Sequence, residues 1–168
     1  MKLIFLALFL AFNVTAADLQ VFFSPKGGCT EAVVENLAKA KSTVLVQAYS
    51  FTSAPIAKAL ADAEKRGVKV QIILDKSQKS EKYSSADFVK NAGIPTYIDA
   101  KHAIAHNKIM IIDGKTILTG SFNFTKAAED NNAENLLVIN NDPALVAKYT
   151  ANWQAHLKHS DVYTGRNK

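Results

Sequence analysis

Residues 106–120 read HNKIMIIDGKTILTG, and the fold turns on this stretch. Apolar and β-branched residues fill Lys108–Ile112 and Thr116–Gly120, and Asp113-Gly114 between them is a dipeptide of tight hairpin turns. The reading predicts an antiparallel hairpin here. Upstream the pattern is different, because strands alternate with helices. Leu19–Phe23 is a short strand, and Thr30 caps a helix to about Lys41 with Val33, Val34, Leu37 and Ala40 on one face. Thr43–Phe51 (TVLVQAYSF) reads as a central strand. Ser53 caps a helix with Pro55 in its first turn and Gly67 at its end; Val68–Leu74 is a buried strand closed by Asp75. Lys76–Ser84 is a Lys-rich loop, Ser85–Ala92 a short helix stopped by Gly93, and Thr96–Ile98 a short strand. Downstream, Glu134–Ile139 is a strand. Asp142 and Pro143 open a last helix striped by Leu145, Tyr149, Trp153 and Leu157. The order predicts an α/β chain of one domain, a mixed β-sheet flanked by helices on both faces, without linker or repeat.

The chain has 168 residues, 48% hydrophobic and 21% charged, with 7 Gly and 4 Pro, which excludes a disordered or collagen-like protein. Lys and Arg number 20 against 15 Asp and Glu, a formal +5 that suits a polyanionic partner without specifying one. Residues 1–17 (MKLIFLALFLAFNVTAA) have the three parts of a bacterial signal peptide: Lys2, the apolar run Leu3–Phe12, and small residues for cleavage near Ala16/Ala17. The apolar run falls short of the ~20 residues that span a bilayer. The expectation is a mature domain of residues 18–168 in the periplasm or the medium, with no stable membrane insertion after cleavage. Its side-chain charge would be 5 − 1 = +4. Cys29 is the only cysteine, so no intrachain disulfide forms, and at a helix entrance it reads as an inert small residue.

Side chains alternate along a strand, so His106 and Lys108 project the same way. An imidazole beside an ammonium suits attack on a phosphodiester: one carries a proton or bonds to phosphorus, the other holds phosphoryl oxygens. Lys108 also favours the neutral imidazole. Asp113 has the opposite parity and is expected to be structural. Ser121 and Asn123, after Gly120, project together if their strand continues, and offer neutral groups for phosphate oxygens. Glu134 opens the next strand, placed to accept a hydrogen bond from His106 and fix its tautomer. Lys76, Lys79 and Lys82, with Tyr83 nearby, form a candidate phosphate-tracking loop, to which Lys101, Lys126, Arg166 and Lys168 add charge. Phe122 and Phe124 are expected in the core. His102, His156 and His159 read as surface histidines, because the last two lack a near carboxylate in sequence other than Asp161 and zinc sites assemble three or four ligands. No metal and no cofactor is expected.

His106-x-Lys108, Asp113 five residues on, Gly120-Ser121-x-Asn123 and Glu134 together resemble the signature of the phospholipase D superfamily. In length, single motif copy and leader the chain is similar to the small bacterial Nuc-type endonucleases. The resemblance implies the phospholipase D/nuclease fold and a phosphodiesterase that needs no metal. It also implies a phosphohistidine on the motif histidine, hydrolysed by water, with a second motif histidine protonating the leaving oxygen. On that basis His106 is the nucleophile, Lys108, Asn123 and Ser121 hold the phosphate, Glu134 orients His106, and Asp113 and Gly120 support the motif. One chain supplies one such histidine, so the chemistry implies a homodimer with a composite site. DNA is the expected substrate, with RNA or phospholipid as alternatives. A catalytically silent nucleic-acid-binding module is disfavoured, since each catalytic position holds a competent residue.

Overall fold

The computed structural model describes residues 17–166. Its elements in chain order are β1 (Asp18–Ser24), α1 (Cys29–Lys39), β2 (Thr43–Ala48), α2 (Ala54–Lys65), β3 (Lys69–Asp75), α3 (Ala86–Asn91), β4 (Thr96–Asp99), β5 (Lys108–Ile112), β6 (Thr116–Gly120), α4 (Lys126–Asp130), β7 (Glu134–Asn140), α5 (Pro143–Leu157) and β8 (Asp161–Val162). All eight strands form one mixed sheet in the order β1-β7-β6-β5-β2-β3-β4-β8. β2, β3 and β4 are parallel, connected by α2 and then by a 3-10 turn (Lys76–Lys79) and α3. The remaining pairings are antiparallel.

Alternation along the central strands separates two cores. Val44, Val46, Ile72, Met110, Ile112, Leu118 and Val138 face one side and pack with Val33 and Leu37 of α1 and Ile56 and Leu60 of α2. Ile73, Ile111, Ile117 and Ile139 face the other side and pack with Val146 and Trp153 of α5. The strands are apolar on both faces because helices cover both, which is why they read as near-continuous hydrophobic runs. Leu145, Tyr149 and Leu157 complete the α5 stripe, and Asp142 caps that helix by accepting from Leu145 N–H at 2.9 Å. The hairpin turns at Asp113 and Gly114, both with positive φ (54° and 60°), the geometry that matches a right-handed strand twist.

Several local expectations are corrected. Thr30 does not cap α1: the first-turn donors Gly28 N–H and Thr30 N–H go to Glu129 Oε1 (3.2 Å) and Oε2 (2.7 Å), a carboxylate supplied by α4. α1 ends at Lys39, earlier than Lys41. β2 stops at Ala48, and Phe51 makes an isolated parallel bridge to Phe124. The Lys76–Ser84 loop contains the 3-10 turn, capped by Asp75 Oδ1 accepting from Ser77 N–H. α4 and β8, five and two residues long, are too short to show a periodicity. The signal peptide of residues 1–17 lies, but for Ala17, outside the described residues, as does Lys168. Among the described residues no helix is long and apolar enough to cross a membrane.

Because β5, β6 and β7 run antiparallel beside the parallel trio, one edge of the sheet collects the ends of β2, β3, β4 and β6 and the beginnings of β5 and β7. His106, Lys108, Gly120, Ser121 and Glu134 all fall on that edge.

Candidate active site

Lys108 is the first residue of β5, on the side of Met110 and Ile112, and its side chain is buried at this sheet edge. Only 6% of it is exposed. Burial pushes its ammonium below the usual lysine range, and the nearby Glu134 carboxylate partly offsets this. The ammonium donates to His106 O at 2.7 Å and lies 5.1 Å from the centre of the Tyr49 ring, so it is held by a carbonyl dipole and a π face. His106 is exposed, and its ring leans on the same Tyr49, with centroids 4.6 Å apart and planes at 54°. Tyr49 N–H donates to Asn107 O at 2.9 Å, and Asn107 Nδ2 to Gln47 Oε1 at 3.1 Å, which fixes the turn that presents His106. Ammonium and imidazole are therefore neighbours as the spacing requires, but through Tyr49 and a carbonyl. Tyr49 escaped the sequence reading; the available signal was an aromatic residue just past the end of the strand that pairs with β5.

Gly120 ends β6 at φ 146°, and a Cβ there would lie 2.2 Å from Asn135 O. Only glycine permits this approach. Ser121 N–H and Phe122 N–H then both donate to Asn135 O, 3.1 Å each, so the chain bulges and the strand does not continue as expected. The bulge sends Phe122 and Phe124 into the core, both fully buried, and leaves Ser121 exposed with its Oγ accepting from Asn135 N–H at 3.0 Å. Asn123 is half-buried, and its Oδ1 is buried without a hydrogen-bond partner among the described residues. Oδ1 is an acceptor, so the atom of this amide that suits a phosphoryl oxygen is the Nδ2 donor.

Glu134 is half-buried, next to Ser24, whose Oγ accepts from Glu134 N–H at 3.2 Å. Its carboxylate accepts from Asn132 Nδ2 (3.3 Å) and acts on Lys108; the anticipated hydrogen bond from His106 is not formed within this chain. Asp113 lies at the other end of β5. Its carboxylate accepts from Lys41 N–H (2.9 Å), Ser42 N–H (2.7 Å), Ser42 Oγ–H (2.8 Å) and Thr43 N–H (3.0 Å), binding the hairpin turn to the start of β2. Burial would raise its carboxyl, but these donors outweigh it and hold the group below the usual range.

Lys76, Lys79 and Lys82 are exposed on the segment that follows β3, at the sheet edge that carries His106. Lys76 Nζ donates to His102 O at 3.1 Å. Arg166 is not available for a polyanion as its charge suggested: it pairs with Asp87 (2.9 Å) and donates to the Glu81 and Lys82 carbonyls, clamping the lysine segment. Cys29 is fully buried, and burial first, then Glu129 and Glu31, push its thiol up to about 11.

The histidines read as scattered surface residues are brought together. His102, His156 and His159 surround Asp99, which lies three residues before His102 but 57 and 60 positions from the other two. Burial of Asp99 favours protonation, but the hydrogen bonds from His156, His102 and His159 prevail and hold its carboxyl well below the ordinary range. Among the described residues this is the one cluster of three or more metal-ligating side chains.

Residues 33–157 match the family described as cardiolipin synthase, PLD-like domain. A phospholipase D of Rickettsia typhi is 43% identical over 151 residues, covering 90% of this chain and 74% of that protein. Among solved structures, Nuc of Salmonella typhimurium, a phospholipase D family member, superposes with a TM-score of 0.85 at 39% identity, over 90% of this chain and 100% of that one. NucT from Helicobacter pylori gives 0.81 at 27% identity, over 88% and 100%. Sequence and backbone thus lead to one assignment: the chain belongs to the phospholipase D superfamily, as an enzyme of its Nuc-type branch.

Proposed function

We propose that this enzyme is a metal-independent endonuclease that hydrolyses DNA through a phosphohistidine on His106, in a site completed by a second copy of the chain. The observation that carries the reading is the exposed His106 imidazole and the buried Lys108 ammonium gathered on one Tyr49 ring, with the ammonium donating to His106 O. An imidazole nitrogen of His106 bonds to phosphorus as the bond to the leaving oxygen breaks. The His106 of the second copy gives that oxygen its proton, then takes one from the water that attacks the adduct and restores the imidazole. Lys108, Asn123 and Ser121 are the groups for the phosphoryl oxygens, and Glu134 for the imidazolium. His106 stands exposed, whereas a hollow lined by Gln20, Glu35, Asn36, Asp113 and Lys115 lies at the opposite end of the sheet. An open half-site of this kind favours completion by a symmetry mate. The exposed lysines of the same edge favour a polyanion, and the likeness to Nuc favours nucleic acid.

The name of the Rickettsia relative supports a second substrate for the same chemistry, a phospholipid head group. Purified protein is to be incubated with supercoiled plasmid and, separately, with phospholipid vesicles, each with and without EDTA. Plasmid cleavage that survives EDTA, disappears in His106→Ala and passes through an acid-labile phosphoryl adduct on His106 is the expected result. Hydrolysis of vesicles alone would transfer the reading to lipid. Complete loss of cleavage in EDTA by protein that stays folded would overturn the metal-free chemistry, and full activity of a strict monomer would overturn the shared site. Export to the periplasm or medium remains part of this proposal, tested by N-terminal sequencing of the secreted chain.

A further inference from the structure

We propose that Asp99, His102, His156 and His159 bind one divalent first-row transition ion, Zn2+ foremost, as a structural site separate from His106. Asp99 ends β4, His102 follows it, and His156 and His159 lie in and just beyond the last turn of α5. The Asp99 side chain is fully buried, and its Oδ2 lies 3.0 Å from His102 Nδ1, 2.6 Å from His156 Nδ1 and 3.3 Å from His159 Nε2. The four atoms lie within 4.8 Å of one another, and the ring centroids are 4.9, 5.2 and 5.3 Å apart. Zinc with bonds of about 2.0–2.1 Å sets tetrahedral ligand atoms roughly 3.3 Å apart, so small ring rotations convert this cluster into an N3O shell.

Without a metal, three imidazole N–H groups would all have to donate to one fully buried carboxylate, His102 Nδ1 reaching both Oδ2 (3.0 Å) and Oδ1 (3.2 Å). With a metal, each nitrogen contributes a lone pair and Oδ2 its charge. Asp99 Oδ1 accepts from Lys101 N–H at 3.1 Å, which steadies the carboxylate for such a role. The donor set excludes Ca2+ and Mg2+, which take oxygen shells. His102 is 44% exposed and gives the ion its way in. Three of the chain's 4 histidines are gathered here, and the fourth is His106.

The ladder Lys108–Ala48, Ala48–Leu74, Leu74–Ile98 sets the cluster about three strand spacings, roughly 14 Å, from the start of β5. Only residues 103–105 separate His102 from His106. A bound ion therefore joins the ends of β4 and α5 to the segment that presents His106 and stiffens it.

The test is a titration of the full, EDTA-dialysed chain with ZnCl2. One ion per chain by elemental analysis is expected, with a dissociation constant at or below about 1 μM and a melting temperature raised by about 5 °C or more. MgCl2 should produce neither. Co2+ should give the visible absorption of a tetrahedral site. Hydrogen exchange across residues 100–107 should slow. His106→Ala should still bind one ion, so failure of the catalytic reading would leave this site intact. His156→Ala/His159→Ala should lose it; if that variant does not fold, His102→Ala, at a ring nearly half exposed, should weaken binding at least tenfold. Absence of stoichiometric Zn2+, or unchanged binding by the cluster variants, would overturn the proposal.

Discussion

β5 carries the first and last residues of one motif at its two ends, and the ends are built in opposite ways. At one, the Asp113 carboxylate receives four donors from the start of β2. At the other, the His106 ring touches Tyr49 and is open to solvent, while Asn123 Oδ1 lacks a partner among the described residues. A well-bonded polar group holds the fold; an exposed one on a rigid support is free to meet substrate. The end bonded through Asp113 thus anchors the hairpin, so the other end can present reactive groups without the strand fraying.

The comparison breaks first at His106. His106→Ala is expected to lower phosphodiesterase turnover by on the order of 1,000-fold or more while leaving the melting temperature within about 2 °C. Equal losses of activity and stability would show that this end is structural too. Gly120→Ala should cost about 3 kcal/mol or more in urea unfolding, because the added Cβ meets a backbone oxygen at 2.2 Å. Asp113→Ala should cost about 1 kcal/mol by removing the hydrogen bonds that tie the turn to the start of β2, with activity per folded molecule close to wild type; a large catalytic loss would dissolve the contrast between the ends. Tyr49→Leu should reduce turnover by about tenfold through a less fixed His106, and Tyr49→Phe should not, since the ring face makes the contacts.

The smallest effect is in the pH dependence. Asp113 is held below its usual range in the folded chain. Its contribution is therefore complete above the ordinary carboxylate value near 3.9 and is lost as pH falls through the lower, folded value. Urea unfolding from pH 7 down to pH 3 should show a shallower acid decline for Asp113→Asn than for wild type. An identical slope would mean that its hydrogen bonds do not distinguish the charged form.

Much of this was legible in the sequence, for identifiable reasons. The Asp113-Gly114 turn bounded two apolar runs, and the observed strands Lys108–Ile112 and Thr116–Gly120 have the expected limits. Asp142-Pro143 opened α5 where capping chemistry required. The illegible parts depend on partners far along the chain. Glu129 caps a helix about a hundred residues earlier, and Asp99 meets His156 across 57 positions. The bulge after Gly120 was hidden because alternation was extended through a residue whose glycine marked the exception. Tyr49 lies one residue past the end of β2, and its contact with His106 depends on where that strand stops, which the apolar run Thr43–Phe51 does not mark.

Cys29 has a practical consequence for such experiments. Its thiol is fully enclosed and pushed up to about 11, so almost no nucleophilic thiolate exists at neutral pH. The unmodified chain is accordingly a silent background for maleimide chemistry. A fluorophore or spin label on one introduced cysteine, at exposed Lys82 for example, would test, without a competing signal, whether two copies associate.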